Sequence, residues 1–525
     1  MRALPLSLAV VLAAPLAAAQ APIVIDAEIP DGTARYFAVP FTVPEGIREI
    51  EVRHDDRSEA NILDWGLADP VRFRGWGGGN TEPAVVGDAA ASRSYLAGAI
   101  PTGRWSVLIG QAKVTERPAR YHLEIVLRAA PTLPPQPERR PYADAPALST
   151  GARWYAGDFH VHSRESGDAS PTLDEVATFA RGRGLDFVEL SEHNTVSAAD
   201  FIVDAQARHP ALLLVPGSEV TTYDGHANAI GATRWVDFRV GSADPAVTAQ
   251  NIADAVAAQG AVLAINHPEL NLGDACIGCA WDLPELPGRV GAVEVQNGQY
   301  SVTGTIFFAR TQRFWEGLLE RGDHVAPIGG SDDHRAGRDM GSLASPIGGP
   351  TTMVWATELS VPAIVAGVRA GRTVVKLQGP DDPMVDLRAG EAAMVGDTLR
   401  APSATLRVTV TGGEGSILNF LRNGEAQTPV SVTSDPFTAT LEVTAPPGTR
   451  DDRWRCELSV NGRPRVITGH IWVAATGALD AGLADASAAP ATPAGGCGCR
   501  TTRRARGAWG AWALALAMLA RRRRA

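Results

Sequence analysis

The chain has 525 residues, 45% of them hydrophobic, and carries a formal net charge of −10 at pH 7. This length exceeds one ordinary domain, and the composition can bury a sizeable core, so we expect two to four domains rather than a disordered chain. The negative charge and the lack of a clustered cationic, aromatic-interleaved patch in the middle argue against specific nucleic-acid binding, although nucleic acid can still be a substrate.

The chain begins with a pattern typical of a secretory signal peptide. Arg2 precedes an apolar run at residues 4–16, and three alanines follow that run. Residues 1–21 are therefore predicted to be removed as the protein passes the inner membrane to the periplasm or the cell surface. The alternative, a buried N-terminal helix, would have to keep an alanine-rich segment that contains a proline.

Short alternating runs separated by Gly, Pro, Asp and Asn fill residues 22–130, among them RYFAVPFTV, REIEVRH, RWSVLIG and YHLEIVL. This spacing predicts an all-β sandwich. Its tryptophans Trp65, Trp76 and Trp105 are expected to lie in the core rather than to form a sugar-binding platform. The stretch PTLPPQPERRPYADAP opens a proline-rich, semi-rigid linker, residues 131–153, which marks a domain boundary.

Strand-like runs alternate with amphipathic stretches across residues 154–380. The strand-like runs are LDFVEL, ALLLVP, AVLAIN, GAVEVQ and HVAPIG. The predicted helices are TLDEVATFARGRG, TAQNIADAVAAQG and FFARTQRFWEGLLERG, and the first opens with the capping-box pair Thr172 and Glu175. This alternation predicts a parallel sheet or a closed β/α barrel.

Strand alternation returns in residues 381–475 with ATLRVTVTG, TATLEVTA and RCELSVNG, which predicts a second small β-sandwich. Residues 476–496 have the low-complexity composition of a flexible linker. Residues 497–525 hold Cys-Gly-Cys, the apolar run AWGAWALALAMLA and a terminal arginine cluster. The apolar run is shorter than the ~20 residues that a spanning helix needs.

This tail resembles the C-terminal sorting tails of myxobacterial exported proteins. The resemblance implies processing at the cysteine region by a sorting peptidase and retention at the cell surface. The alternative is a weak membrane anchor. Among the remaining cysteines, Cys276 and Cys279 form a CIGC motif that lacks the second ligand pair of a zinc ribbon. We expect a local disulfide between them.

The residues that carry chemistry are histidines and carboxylates. The histidines that follow strand-like runs in residues 154–380 are His160, His162, His193, His226, His267 and His334. The carboxyl ends of barrel strands meet at one mouth, so separate segments can present ligands to one point. His-x-His places two imidazoles on one face of a strand, and imidazoles with the carboxylates of Glu219 and Asp332 suit Zn, Mn or Fe. One such histidine alone is usually a hydrogen-bonded core residue, whereas five motifs in order favour a metal site.

The ordered motifs DFHVH, LSEHN, GSEV, NHP and GSDDH resemble those of the polymerase-and-histidinol-phosphatase (PHP) superfamily of metal-dependent hydrolases. GLDFVELSEHN, GHAN and VEVQNG are similar to its CehA/McbA-type branch. The resemblance implies a central distorted (β/α)7 barrel flanked by the two small sandwiches, with two or three divalent metal ions. It implies three groups of ligands: His160, His162, Glu219 and Asp332 for a first metal; Glu219 bridging to His226 and His267 for a second; and Asp168, His193 and His334 for a third.

Two positions depart from the family pattern. Many relatives have Asp before the histidine of the second motif, where this chain has Glu192, and some use a histidine where Asp168 stands. Asp158 and Asp333 are expected to be supporting residues or caps rather than ligands. Glu294 is a site-facing residue without an assigned role.

The implied reaction is hydrolysis by a metal-activated water, with a phosphoester as the first choice of substrate and a carbamate or carboxyl ester, small molecule or polymer, as the alternative. Arg164 and Arg335 are candidates to stabilise charge on the attacked group, although arginines beside such motifs often form surface salt bridges. His334, Asp333 and a metal-bound water are the three candidates for the general acid that protonates the leaving group. An amidohydrolase-type barrel also begins with His-x-His but fits the Asp-x-His pair less well. The alternative from a different functional class is a surface adhesion protein whose barrel is catalytically inactive.

Overall fold

The computed structural model describes residues 21–341, 344–390 and 392–476. The predicted signal peptide, flexible linker and sorting tail lie outside the described residues, apart from residues 21 and 476 at their borders. The described residues belong to one compact unit that ends at Leu479. None of the helices in this part of the chain combines the length and the apolarity that a membrane crossing needs.

The first eight strands form the N-terminal sandwich. They are β1 (Ile23–Glu28), β2 (Tyr36–Val43), β3 (Glu49–Asp55), β4 (Ile62–Ala68), β5 (Phe73–Gly78), β6 (Ala84–Gly87), β7 (Gly103–Lys113) and β8 (Arg120–Arg128). Two four-stranded antiparallel sheets, β1-β8-β3-β6 and β2-β7-β4-β5, enclose the core. Trp65, Trp76 and Trp105 are all buried, as expected for core residues.

The central segment carries the α-helices α1 to α5. Its elements are β9 (Thr150–Val161), α1 (Leu173–Gly182), β10 (Phe187–Leu190), α2 (Ala199–Arg208), β11 (Leu213–Pro216), β12 (Glu219–Thr222), β13 (Gly225–Ile230), α3 (Ala249–Ala257), β14 (Val262–Ile265), β15 (Ala292–Asn297), α4 (Thr305–Glu320), β16 (Ala326–Gly330), β17 (Thr351–Glu358), α5 (Val361–Arg369) and β18 (Thr373–Lys376). A short π-helix, Tyr300–Gly304, precedes α4.

Helix α1 begins where the sequence predicts it. The Thr172 side chain accepts a hydrogen bond from the Glu175 backbone N–H, and the Glu175 carboxylate accepts one from the Thr172 N–H. This capping box satisfies two backbone donors that a helix start otherwise leaves unpaired. The buried face of α1 consists of Leu173, Val176, Ala177 and Ala180, which share one side of the helix.

The central strands do not close into the expected (β/α)7 barrel. The strands β12-β13-β14-β15-β16 form one open sheet, and β11-β10-β9-β17-β18 belong to a second, larger one. Two single bridges, His193 to Glu219 and Val161 to Asp333, join the two sheets. The predicted distorted (β/α)7 barrel is therefore not confirmed, because the strands do not form one closed sheet, although the segments that carry the candidate ligands still converge.

Buried carboxylates explain why the two seams stay open. At the β9–β16 seam, Asp158 accepts hydrogen bonds from the backbone N–H groups of His160 and Ser331. At the β11–β12 seam, the Glu189 carboxylate fills the space beside Gly217, where a Cβ would collide with it. At the first seam two backbone amides are committed to a side chain instead of a ladder, and at the second the carboxylate occupies the space beside the main chain.

The third module continues the larger central sheet. Its strands are β19 (Met384–Ala389), β20 (Ala393–Met394), β21 (Thr398–Leu399), β22 (Ser403–Thr411), β23 (Ile417–Arg422), β24 (Glu425–Ala426), β25 (Val430–Ser431), β26 (Phe437–Thr444), β27 (Asp452–Val460), β28 (Arg463–Thr468) and β29 (Ile471–Val473). β28 pairs antiparallel with β18. A four-stranded sheet, β20-β19-β22-β26, packs against this extension around a core that includes Val408 and Cys456.

The N-terminal sandwich shares a hydrophobic core with the central segment. Tyr36, Phe73 and Trp76 of the sandwich belong to the same buried cluster as Phe238 of the central segment. Tyr36 also stacks on Tyr223, with ring centroids 4.9 Å apart. Continuous burial of this kind fixes the sandwich against the strand ends that carry the candidate site.

Candidate metal centre

Most candidate ligands lie at the carboxyl ends of strands or just after them, while Glu219 and His226 lie at the starts of β12 and β13. His160 is the second-last residue of β9 and His162 follows that strand directly, while His193 follows β10. The remaining ligand candidates lie in or after the later strands: His226 in β13, His267 after β14, and Asp332 and His334 after β16. The convergence predicted from the sequence is therefore present.

Glu219 is the centre of the cluster. Its carboxylate is buried, and its Oε1 lies 3.4 Å from His160 Nε2, 3.3 Å from His226 Nδ1 and 3.3 Å from His267 Nε2. Its Oε2 lies 2.7 Å from His193 Nδ1. One carboxylate thus reaches imidazoles from four separate segments, the arrangement that a bridging ligand requires.

The first group of donors is His160, His162 and Asp332, whose donor atoms all lie within 4.8 Å of one another. The two Nε2 atoms lie 3.4 and 3.3 Å from Asp332 Oδ1. These separations match the edge of about 3.4 Å that ligands ~2.1 Å from a tetrahedral metal would share. Both Nε2 atoms are buried and have no hydrogen-bond partner. Unpartnered buried nitrogens are costly, so they fit atoms that a cation is meant to satisfy.

The opposite ring nitrogens of these two histidines are held by the protein. His160 Nδ1 lies 2.8 Å from Glu294 Oε1, and His162 Nδ1 lies 2.9 Å from Ser166 Oγ. A carboxylate accepts hydrogen bonds only, so Glu294 holds a proton on His160 Nδ1 and turns Nε2 toward Asp332 and Glu219. Glu294, to which the sequence assigned no role, therefore orients a ligand candidate.

The second group is formed by His226 and His267 around Glu219 Oε1. His226 Nε2 donates to the carbonyl of Ile277 (3.2 Å), and His267 Nδ1 donates to that of Cys279 (3.0 Å). Carbonyl oxygens accept only, so His226 Nδ1 and His267 Nε2 are the nitrogens that face Glu219. The sulfur of Cys279 lies near both rings, but it belongs to the Cys276–Cys279 disulfide and is not a thiolate ligand.

The third group joins Asp168 to His193 and His334. Asp168 Oδ2 lies 3.4 Å from the Nε2 atom of each histidine. His334 Nδ1 donates to the carbonyl of Asp332 at 2.9 Å, which directs its Nε2 toward Asp168. The His162 ring stacks between the two, with centroids 4.4 Å from His193 and 4.2 Å from His334. Asp168 is the most exposed member of the cluster, so this group lies nearest to solvent.

The charges in the cluster are those of a cation site. Burial alone would raise the pKa of Glu219, but His160, His193 and His226 outweigh it and hold the pKa well below its usual range. Burial, together with the positive charges of His334 and His193, lowers the pKa of His162 to about 3. The Glu219 carboxylate is thus ionised and the His162 imidazole neutral at pH 7. Against the effect of burial, neighbouring carboxylates raise the pKa of His160 and His193 well above the usual value and that of His334 to about 9, so these rings hold protons that a metal ion would displace on binding.

Two ligand candidates have strained backbones. His267 has φ 27° and Asp332 has φ 58°. Residues with side chains seldom adopt this region, and such strain concentrates at functional sites, where the surrounding fold imposes it. Asp332 is held there by its backbone N–H, which donates to the His160 carbonyl, and His267 by its N–H, which donates to Glu294 Oε2.

The residues expected to support the site do so. Asp333 accepts hydrogen bonds from the backbone N–H groups of Arg335, Ala336 and Ile347. Glu192 accepts from Ser163, through both its N–H and its hydroxyl, and burial raises the pKa of Glu192 to about 7. Asp333 is buried and committed to these amides, so it is poorly placed to protonate a leaving group.

The two arginine candidates are placed differently from the histidines. Arg164 is exposed and lines a cavity of about 480 Å³ with Arg93, Asp174 and Arg208, and the described lining residues of this cavity include none of the ligand candidates. Arg335 is exposed, and its backbone N–H is held by Asp333. The structure therefore does not bring Arg164 to the cluster, because its side chain turns toward the sandwich side of the loop.

The sequence did not reveal that the sandwich supports the loop carrying Asp168. Ser94 donates from its hydroxyl to the Glu165 carbonyl at 2.8 Å and from its N–H to the Glu165 carboxylate at 3.3 Å. Arg93 donates to the Ala169 carbonyl at 3.0 Å. These contacts span two modules and leave no local sequence pattern. These hydrogen bonds hold the loop that follows His162 and carries Asp168 of the third group.

We expect His334→Gln to remove one bound metal equivalent and leave the others in place. Its Nε2 faces the same Asp168 oxygen as His193 Nε2, and its Nδ1 is committed to a carbonyl, so the geometry favours a ligand over a proton donor. Metal analysis by mass spectrometry tests this. Unchanged metal content together with loss of the alkaline limb of the pH–rate profile would instead identify His334 as the general acid.

No protein-family model matches the chain, and no curated protein matches it. Among solved structures, the chain is similar to a two-domain protein containing a predicted PHP-like metal-dependent phosphoesterase from Bacteroides vulgatus, with 18% identity and a TM-score of 0.35 over 63% of this chain and 99% of that one. It is also similar to an amidohydrolase from Chromobacterium violaceum with bound sulfate and no metal, with 16% identity and a TM-score of 0.22 over 36% and 93% of the two chains. Similarity at this level does not establish a shared activity, so the chemistry of the site has to carry the functional conclusion.

Proposed function

We propose that this chain is a metal-dependent hydrolase of the PHP type that cleaves esters, with phosphoesters as the first substrate class. The observation that carries the proposal is the set of buried imidazole nitrogens around Glu219 that are directed inward by hydrogen bonds on the opposite ring atoms. A structural histidine is expected to use both ring nitrogens for hydrogen bonds, whereas His160 and His162 each use only Nδ1. The unpartnered Nε2 atoms of His160 and His162 argue for a cation.

The residues fit two or three divalent ions. His160, His162, Glu219 and Asp332 would hold the first, Glu219, His226 and His267 the second, and Asp168, His193 and His334 the third. Imidazole and carboxylate donors suit Zn, Mn or Fe. When bound, such ions supply Lewis-acid charge and lower the pKa of water toward neutrality, which is the chemistry that ester hydrolysis at neutral pH needs.

The chain contributes orientation and charge balance to this reaction. Glu294 and Ser166 fix the His160 and His162 rings. Asn266 donates to Glu219 Oε1 at 2.9 Å and limits the rotation of that carboxylate. The third group lies nearest to solvent, so substrate is expected to enter past Asp168. Arg335, which follows His334 in the chain and is exposed, is proposed to meet the anionic part of the substrate.

The three candidate substrate classes are phosphoesters, carbamate esters and carboxyl esters. They differ in the negative charge that the site must stabilise during hydrolysis. A phosphoester places additional negative charge among the ligands, and a three-group cluster with several imidazoles can balance it. The CehA/McbA-type resemblance favours the carbamate or carboxyl ester alternative. A non-catalytic binding role would require missing ligands, and every predicted ligand position is filled by a donor residue in the described chain.

The test is hydrolysis of a chromogenic aryl phosphate by residues 22–475 with added Mn²⁺ or Zn²⁺. We expect turnover that a chelator abolishes and that His160→Ala lowers by about 10³-fold or more, because this substitution removes a ligand from the first group. His209→Ala is the matched control, since His209 lies at the end of α2 and pairs with Asp174 outside the cluster.

The possible results separate the alternatives. Metal binding without phosphatase turnover would move the proposal to aryl carbamates and carboxyl esters, which are assayed in the same way. Absence of metal binding by the wild-type protein would overturn the hydrolase proposal and favour the binding-protein alternative. An equal loss in His160→Ala and His209→Ala would point to unfolding rather than to ligand removal.

We also propose that the enzyme acts outside the cytoplasm. The proposal rests on the signal-peptide pattern of residues 1–21 and on the sorting-tail resemblance of residues 497–525, which imply membrane association through the tail and a sorting peptidase as partner. Cell fractionation with antibodies against the sandwich tests it. Recovery of the intact, unprocessed chain from the cytoplasm would contradict it.

A further inference from the structure

The loop between β14 and β15 holds the Cys276–Cys279 disulfide against the second donor group. Twenty-six residues, 266–291, separate these strands and contain one short 3-10 turn, Gly273–Ala275. Long connections without secondary structure are uncommon inside compact modules unless they carry function. The disulfide closes a four-residue ring within this loop, and its Cys279 end is buried beside His226 and His267.

Two backbone carbonyls within the disulfide ring accept hydrogen bonds from the histidines of the second group. The carbonyl of Ile277 accepts from His226 Nε2, and the carbonyl of Cys279 accepts from His267 Nδ1. Each bond commits one ring nitrogen and directs the other nitrogen to Glu219 Oε1, 3.3 Å away in both cases. Both histidines of the second group therefore depend on one short stretch of main chain.

The main chain of this ring is confined from both sides. Gly278 lies between the two carbonyls with φ 81°, and a Cβ there would collide with the Thr222 carbonyl. The covalent bond limits the remaining freedom of the peptide groups at 277 and 279. Trp281 N–H donates to the Pro268 carbonyl and closes the loop on the far side. Loss of the disulfide would leave the carbonyls free to rotate while the rest of the loop stays attached.

We propose that the Cys276–Cys279 disulfide is a positioning element that fixes the tautomers of His226 and His267 and thereby sets the metal affinity of the second donor group. This inference deepens the proposed function, since it concerns the same site. The cysteine sulfurs take no part as ligands. Ile277 and Cys279 act only through their main-chain oxygens, in the manner of the carboxylates and carbonyls that commonly orient metal-binding histidines.

The test compares the full chain with the double variant Cys276→Ser, Cys279→Ser. In the metal-free proteins, ¹⁵N spectra of selectively labelled histidine report the tautomers, with His226→Ala and His267→Ala used for assignment. We expect single tautomers in the wild type and exchange between tautomers in the double variant. Titration with Zn²⁺ is expected to show affinity weakened by about 10- to 100-fold for one metal equivalent, with another unchanged.

Ile277→Ala is the matched control because it shortens a side chain in the ring and keeps both carbonyls and the disulfide. It should retain the tautomers and the metal affinity of the wild type. Wild-type tautomers and metal affinities in the double-serine variant would overturn the inference, and so would a wild type in which neither histidine has a fixed tautomer. Fixed tautomers and tight metal binding in a protein that hydrolyses no ester would instead support the inference while contradicting the proposed function.

Discussion

Glu219→Gln is expected to cause the largest loss of activity of any single substitution in this chain, about 10³- to 10⁵-fold in kcat. Glutamine keeps the shape of the side chain but removes the charge that reaches His160, His193, His226 and His267. Because the same carboxylate serves the first and second groups, the variant should lose metal from both. Activity against an aryl phosphate and metal content by mass spectrometry measure the two effects together.

The folded state should survive this substitution. The neighbouring carboxylates, with Asp168 and Glu219 first among them, overcome the effect of burial and raise the pKa of His193 well above its usual value. Without the Glu219 charge, this pKa falls and the ring can lose its proton, so no unpaired buried charge remains. Circular dichroism should therefore be unchanged at pH 7.

Glu49→Gln is the matched control for Glu219→Gln. Glu49 is also fully buried, and it accepts hydrogen bonds from Thr132 and Leu133 in the N-terminal sandwich. We expect this variant to lose some stability and to keep its metal and its activity. A Glu219→Gln variant that retained two tightly bound metal ions would contradict the bridging role.

Gly330→Ala is expected to inactivate the enzyme although it changes no ligand. Gly330 is the last residue of β16, and a Cβ at this position would collide with His160 Cβ and Glu294 Oε1. These atoms belong to the pair that directs His160 Nε2 into the first group. Displacement of a catalytic group by about 1 Å can cost about 10²-fold in rate, so we expect a loss of at least this size.

Overpacking of this kind typically also lowers stability by about 1–3 kcal/mol. Gly317→Ala is the control, since Gly317 lies within α4 and a Cβ there would meet nothing within 4 Å. Alanine in a helix is favoured over glycine by about 0.5–1 kcal/mol, so this variant should be slightly more stable and fully active. Thermal unfolding and the aryl phosphate assay distinguish the two. Full activity in Gly330→Ala would show that the Glu294–His160 pair has room to adjust.

Much of the candidate site could be predicted because its donors follow strands in local motifs. His160 and His162 share a strand face by their spacing alone, and the capping box at Thr172 and Glu175 is likewise written in adjacent residues. The orienting groups could not be predicted in this way. The carbonyl of Ile277 has no side-chain signature, and the role of Glu294 depends on a contact across 134 residues.

The sequence predicts the order of the β-rich and β/α modules, but it does not predict whether the central sheets close into a barrel. Helix α2 has no side-chain cap, and the antiparallel strands β17 and β18 depend on tertiary pairing. Helix α5 begins with a Ser360 cap and a proline in its first turn, a signal in the sequence from which its start could have been predicted. The strands do not form one closed barrel: Asp158 accepts the backbone N–H groups of His160 and Ser331 at one seam, and the Glu189 carboxylate fills the space beside Gly217 at the other. Arg164 failed as a substrate contact because adjacency in sequence to His162 does not fix the direction of an exposed side chain.

The shared core of the sandwich and the central segment limits how the chain can be cut and recombined. Excision of residues 154–380 would strip Tyr36, Phe73 and Trp76 from the cluster that contains Phe238 and leave an apolar face open to water. It would also remove Ser94, which holds the loop of Asp168. A chimaera that transplants the central segment would therefore have to carry the sandwich with it.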